Sequence, residues 1–118
     1  MYTISKEFSF CASHQLIGLP ADHPCSRLHG HNYTVIAELK TDFVDEVGMV
    51  VDYRKLDPIK NYLDSKFDHQ HLNDVVDFNP TAENLAEHLY YIFNKTFPML
   101  SRITVKETPK TAAHYDLS

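Results

Sequence analysis

The sequence predicts an α+β fold, a four-stranded antiparallel sheet with two helices on one face in the order ββααββ. Three observations predict it: two long alternating runs early in the chain, two segments with apolar residues four apart in the middle, and a return to alternation near the end.

In residues 6–16, Phe8, Phe10, Ala12, His14 and Leu16 fall on one face and Ser9, Cys11, Ser13 and Gln15 on the other, as in a half-buried strand. Gly18, Pro20 and Pro24 among polar residues make 17–28 a long ordered loop, a kind of segment that often carries function. A second alternating run, 29–40, places Tyr33, Val35, Ala37 and Leu39 on the face shared by His29 and His31. A short apolar piece after Gly48 closes this region. Asp57 and Pro58 have the form of an N-cap and first helical position, followed by Ile59, Leu63 and Phe67 at helical spacing. Asn79-Pro80-Thr81 opens a second helix with Leu85, Leu89, Ile92 and Phe93 as its stripe and Glu83 near its positive end. Residues 102–108 and 112–117 alternate as two closing strands, with Ile103, Val105 and Glu107 on one face of the first. Four strands leave exposed edges that proteins cover or pair with another chain, so an oligomer is expected.

At 118 residues the chain is long enough for one core and short for two, which predicts a single domain over 1–118. A net charge of −5 with scattered lysines and arginines leaves no footprint for a polyanion, so nucleic acid is not expected as a partner. No apolar run reaches the roughly 20 residues of a membrane helix and no leader pattern opens the chain, so no membrane partner is expected and the location is read as cytoplasmic. In that compartment Cys11 and Cys25 stay as thiols.

Eight histidines are the compositional oddity. His29 and His31 share one strand face, about 7 Å apart at a rise of ~3.3 Å per residue. Gly30 between them leaves room for a close approach. His14 ends the apolar face of the first strand, and antiparallel pairing brings it to the same point. Three imidazoles suit Zn2+ and leave a fourth position open, the mark of a catalytic site. For His23, His71, His88 and His114 a solvated or structural role is favoured. Cys25 is either a fourth ligand that closes the site or a nearby thiolate that moves protons; spacing does not choose between them. Asp68-His69 follows the first helix and can join such a relay. Glu107 shares a face with apolar residues and needs partners, either a ligand edge with two donors or an arginine such as Arg102.

Together, Cys25-x-x-x-His29-Gly30-His31, the upstream His14, Asp68-His69, Pro80-Thr81-x-Glu83 and Val105-Lys106-Glu107-Thr108 resemble the 6-pyruvoyl-tetrahydropterin synthase family, over nearly the whole chain. The likeness is greatest to its short bacterial branch, the 6-carboxytetrahydropterin synthases. The resemblance implies the tunnelling fold (T-fold), with trimers closing their sheets into a barrel and two trimers stacking as a homohexamer. It implies zinc on His14, His29 and His31, Cys25 as proton acceptor, Asp68 with His69 as a relay from a neighbouring subunit, and Glu107 as the anchor of the pterin ring, helped by Thr81. The implied substrate is 7,8-dihydroneopterin triphosphate. In the carboxy branch acetaldehyde and triphosphate are released; in the pyruvoyl branch the side chain is kept.

Overall fold

The computed structural model describes residues 1–117. Strands β1 (Tyr2–His14) and β2 (His29–Thr41) form a long antiparallel hairpin whose register runs from Tyr2 opposite Thr41 to His14 opposite His29. Helix α1 (Asp57–Lys66) follows, then a two-residue strand β3 (Gln70–His71), a single turn α2 (Leu72–Val75), helix α3 (Ala82–Asn94), and strands β4 (Leu100–Lys106) and β5 (Ala113–Tyr115). The sheet order is β3-β1-β2-β4-β5.

Two expectations are corrected. The sheet has five strands, because β3 pairs in parallel with β1 at Ala12 and Ser13, so it is mixed. Two residues are too few to show a period of two. The α1 start also differs. Leu56 is the N-cap, without a side-chain cap, and Asp57 lies in the first turn. The chain enters through a 3-10 turn, Tyr53–Leu56, in which Asp52 accepts the Arg54 N–H at 2.9 Å. The start of α3 follows the sequence: Thr81 is the N-cap, its Oγ accepting the Asn84 N–H at 3.1 Å.

Alternation puts the core on one side of the sheet. Phe8, Phe10 and Ala12 of β1, Tyr33, Val35, Ala37 and Leu39 of β2, and Ile103 and Val105 of β4 are buried together with Ile59 and Leu63 of α1 and Leu85, Leu89 and Phe93 of α3. Each of the Val, Leu, Ile and Phe side chains among them stabilises the fold by about 1.5–3 kcal/mol on burial. A register shift between Glu38 and Leu39 seats Leu100 opposite Leu39 inside this core. Phe10 and Tyr33 stack at 4.7 Å between ring centroids, directly below the hairpin end that carries His14 and His29. Among the described residues no helix is long and apolar enough to cross a membrane.

Candidate metal centre

His14 is the last residue of β1, His29 the first of β2, and they face each other in the register; His31 lies two residues along β2 on the same face. The core face therefore ends in three imidazoles. Their ring centroids are 4.5, 5.1 and 4.9 Å apart, and one nitrogen from each lies within 4.8 Å of the others.

The surrounding carbonyls orient the rings. His14 Nδ1–H donates to Pro80 O at 2.7 Å, and His29 Nδ1–H donates to Arg27 O at 2.7 Å. Those bonds leave Nε2 of each ring unprotonated and aimed inward. His14 Nε2 and His29 Nε2 are only 2.9 Å apart, and His31 Nε2 is buried with no hydrogen-bond partner. Two unprotonated nitrogens facing each other, with a third ring nitrogen shut off from water and left without a partner, are unfavourable until a cation takes them. Burial pushes the His14 and His31 imidazoles below their ordinary pKa, outweighing the opposite pull of Glu107. Neutral imidazole is the ligating form. Zinc–nitrogen bonds of about 2.1 Å in a tetrahedron place ligand atoms roughly 3.4 Å apart, so this donor set fits zinc with a position to spare. The Tyr33 hydroxyl lies 3.1 Å from His14 Nδ1, and burial raises its pKa far above the usual value, keeping it neutral. A Cβ on Gly30 would meet Ala12 O at 3.5 Å, an ordinary contact, so packing within the chain does not demand glycine there.

Cys25 is not part of the ligand cluster; its thiol is unpaired and half-buried in the 3-10 turn Pro24–Ser26. Glu107 lies one residue past β4, its Oε2 3.9 Å from His31 Nε2. It lines a cleft of about 260 Å3 with Val105, Ala112 and Ala113 and with Ala82 and Glu83 from the first turn of α3, beside Thr81. Arg102 is not its partner: it donates to Asp116 at 3.0 and 3.2 Å and lies 3.9 Å from Glu38. The carboxylate is left to the cleft and to His31.

Asp68 and His69 form the expected pair, Asp68 Oδ2 to His69 Nδ1 at 2.8 Å, while Asp68 Oδ1 accepts the Cys11 N–H at 2.9 Å. The Cys11 amide first and His69 second hold the Asp68 carboxyl below the usual range. His69 has φ of 60°, a left-handed conformation rare for a non-glycine residue, pinned by its N–H to Cys11 O at 2.6 Å. The pair sits on the outer edge of β1, level with Cys11, which is three residues and about 10 Å of strand from His14. Within the chain the fold does not gather it into the histidine cluster.

Residues 3–118 match the family model described as 6-pyruvoyl tetrahydropterin synthase. The chain belongs to that family. It is 39% identical over 127 residues to the 6-carboxy-5,6,7,8-tetrahydropterin synthase of Synechocystis sp., covering 98% of this chain and 93% of that enzyme. The enzyme of the same name from Rickettsia felis is 31% identical, covering 92% and 96% of the two chains. The Caenorhabditis elegans 6-pyruvoyl tetrahydropterin synthase structure superposes with a TM-score of 0.87 at 28% identity, over 99% of this chain and 96% of that one. The fold is the T-fold of these tetrahydropterin synthases, and within it the three histidines can bind a metal.

Sequence reasoning passes over several groups that brace the histidine cluster and the chain beside it. The Pro80 carbonyl, Tyr33 and the amides of Asn73 and Asn79 act across the fold, and only the Asn79-Pro80-Thr81 cluster carries a local signal, which reads as a helix start. His71 Nδ1 lies 2.9 Å from Ser13 Oγ and ties β3 to β1. His88 fits its structural reading, with Tyr62 Oη 3.3 Å from Nε2 and rings of Phe67 and Phe78 beside it.

Proposed function

We propose that the protein is a zinc-dependent 6-carboxy-5,6,7,8-tetrahydropterin synthase, a cytoplasmic lyase of one domain that converts 7,8-dihydroneopterin triphosphate and water to 6-carboxytetrahydropterin, acetaldehyde and triphosphate for deazapurine (queuosine) biosynthesis. The observation that carries the reading is the buried, partnerless His31 Nε2 converging with two carbonyl-oriented imidazoles on one point. Relatives spanning 92–98% of the chain and named for the carboxy reaction favour that product.

His14, His29 and His31 hold the metal, which when bound supplies Lewis acidity toward the substrate's side-chain hydroxyls. Cys25, on the loop leading into His29, takes a proton from the adjacent side-chain carbon. His69, its Nδ1–H donated to Asp68, has Nε2 open to take that proton from the Cys25 thiol, which regenerates the thiolate, and to hand it back to the substrate side chain. Because the pair lies on the outer edge of β1, a neighbouring copy supplies it, in a homohexamer built as a dimer of trimers. Glu107 receives the pterin amino and ring N–H groups in two parallel hydrogen bonds, with Thr81 beside it. Arg27, Lys106 and Lys110 are candidates for the cationic contacts that triphosphate needs.

The test is zinc-loaded protein with 7,8-dihydroneopterin triphosphate. Stoichiometric acetaldehyde and 6-carboxytetrahydropterin are expected. Triphosphate release with a diketone product and no acetaldehyde would replace this reading with the pyruvoyl reaction, which the family name and the nematode structure keep in view. No turnover at all would refute both.

A further inference from the structure

Residues 15–17 extend β1 past its last sheet pair, and side chains bond one edge of that extension. Gln15 N–H donates to Asn73 Oδ1 at 2.8 Å while Asn73 Nδ2 donates to Gln15 O at 2.8 Å. Two residues on, Ile17 N–H donates to Asn79 Oδ1 at 2.9 Å and Asn79 Nδ2 donates to Ile17 O at 3.0 Å. A primary amide carries the same donor and acceptor as a peptide unit, and residues i and i+2 of an extended chain present both groups to one edge. The two asparagines thus stand in for an edge strand, prolonging the line of β3.

The opposite edge of the same three residues holds Cys25. Leu16 N–H points that way and donates to Cys25 O at 3.0 Å, and Gln15 Nε2 donates to Ser26 O at 2.8 Å. Cys25 N–H donates to His23 Nδ1 at 3.1 Å. Both main-chain polar groups of Cys25 are tied, and the strand segment that ties its carbonyl is gripped from behind by two amides.

We propose that Asn73 and Asn79 are positioning residues for Cys25, acting through residues 15–17 to set where the thiol stands. This rests on the reading of Cys25 as the proton acceptor. A loop running from 17 to 28 has many conformations, and a reacting group misplaced by an ångström costs on the order of 100-fold in rate. Asn73 also follows Asp68 and His69 on one short segment, so a single piece of chain fixes both the outward-facing pair and, through the clamp, the thiol loop of its own protomer.

The test uses full-length zinc-loaded Asn73→Ala, with Asn73→Asp as a milder second variant that keeps the acceptor for Gln15 N–H and loses the donor to Gln15 O. Asn73 is chosen because Asn79 adjoins the carbonyl that orients His14. Four quantities are read: zinc content, amide exchange at residues 15–17, iodoacetamide labelling of Cys25 relative to Cys11 in the same molecule, and kcat and KM separately. Zinc content and exchange in the rest of β1 should match wild type, while the Gln15 amide, which loses its acceptor, falls about tenfold in protection and Ile17, still held by Asn79, changes less. The ratio of Cys25 to Cys11 labelling should change severalfold, and kcat should fall at least tenfold with KM little altered, Asn73→Asp lying between. Wild-type labelling and kcat despite lost protection at residues 15–17 would overturn the proposal, as would unchanged protection. If Asn73→Ala loses protection throughout β1, Asn73→Asp decides by the same readings. If wild type itself shows no turnover, the function fails separately, and exchange with labelling still decides whether the clamp places the thiol.

Discussion

Replacing His31 by leucine should raise the stability of the metal-free protein while abolishing its response to zinc. His31 Nε2 has no hydrogen-bond partner and is shut off from water, although the side chain as a whole is 19% exposed. An unsatisfied buried nitrogen costs about 1–3 kcal/mol, and the partial exposure of the ring argues for the lower end. Leucine has nearly the same volume and removes the polar atom. The nearest opposing charge, Glu107 at 3.9 Å, offers little to a ring that burial keeps neutral. The expected gain is about 1 kcal/mol, or roughly 3–5 °C in Tm for a chain of this length. With zinc the order reverses. A ligand at 100 times its dissociation constant adds about 2.7 kcal/mol to a protein that binds it only when folded, and the variant lacks one of three ligands. Thermal and urea unfolding of chelator-treated and zinc-loaded samples, wild type and variant, measure both differences. A metal-free variant destabilised by several kcal/mol would refute the account of His31 Nε2 as an atom left for a metal. So would a variant stabilised by zinc as much as wild type.

Glu107→Gln keeps one acceptor and loses the charge, so KM for 7,8-dihydroneopterin triphosphate should rise about 10- to 100-fold with zinc content unchanged; a wild-type KM would remove Glu107 from the pterin site. Burial lowers the His88 pKa, so its folded value lies below the unfolded 6.5. Its contribution is intact above pH 6.5 and lost as pH falls from there toward the folded pKa, and His88→Phe should therefore gain on wild type between pH 7 and 5.5 in urea titrations of zinc-free protein, where a constant difference would contradict this. Co-expression of Cys25→Ala with His69→Ala chains tests the shared site. If neighbours supply the relay, random 1:1 mixing restores about one quarter of wild-type activity, because half the thiols meet half the relays; a relay within each chain predicts none.

Much of this was legible because strands write their faces into the sequence. Phe8, Phe10, Ala12 and His14 alternate, as do His29, His31, Tyr33 and Val35, and once the two runs pair, the imidazoles must meet at the end of the core. The thiol, the Asp68-His69 pair and Glu107 stood out as residue types, but their placement did not. β3 has two residues and no period, and its pairing to β1 spans 58 positions. The clamps of Asn73 on Gln15 and Asn79 on Ile17 span 58 and 62 positions, and an asparagine beside a proline or before an aspartate looks like any turn. The α1 boundary slipped by one residue for a related reason: Asp57 has the side chain of a cap, but the burial of Leu56 in the core settles where the helix begins.

Residues 79–81 show why so little sequence can fix so much of the site. The Asn79 amide grips Ile17, the Pro80 carbonyl accepts the hydrogen bond of His14 Nδ1–H, and Thr81 caps α3 where its first turn lines the Glu107 cleft. Proline in the middle suits all three. It lacks an N–H that would otherwise need a partner in this buried position, and it biases Asn79 toward the extended conformation. The Thr81 N–H returns to Asn79 O at 2.8 Å and Asn84 Nδ2 reaches the same oxygen at 3.0 Å, so the segment is braced at both ends by its own helix. A loop held this way can shift only with α3, and α3 is seated in the core by Leu85, Leu89 and Phe93. The orientation of the His14 ring, the course of the chain toward Cys25 and the wall of the cleft are therefore all tied to the start of α3, and a one-residue insertion between Asn79 and Thr81 would move all three at once.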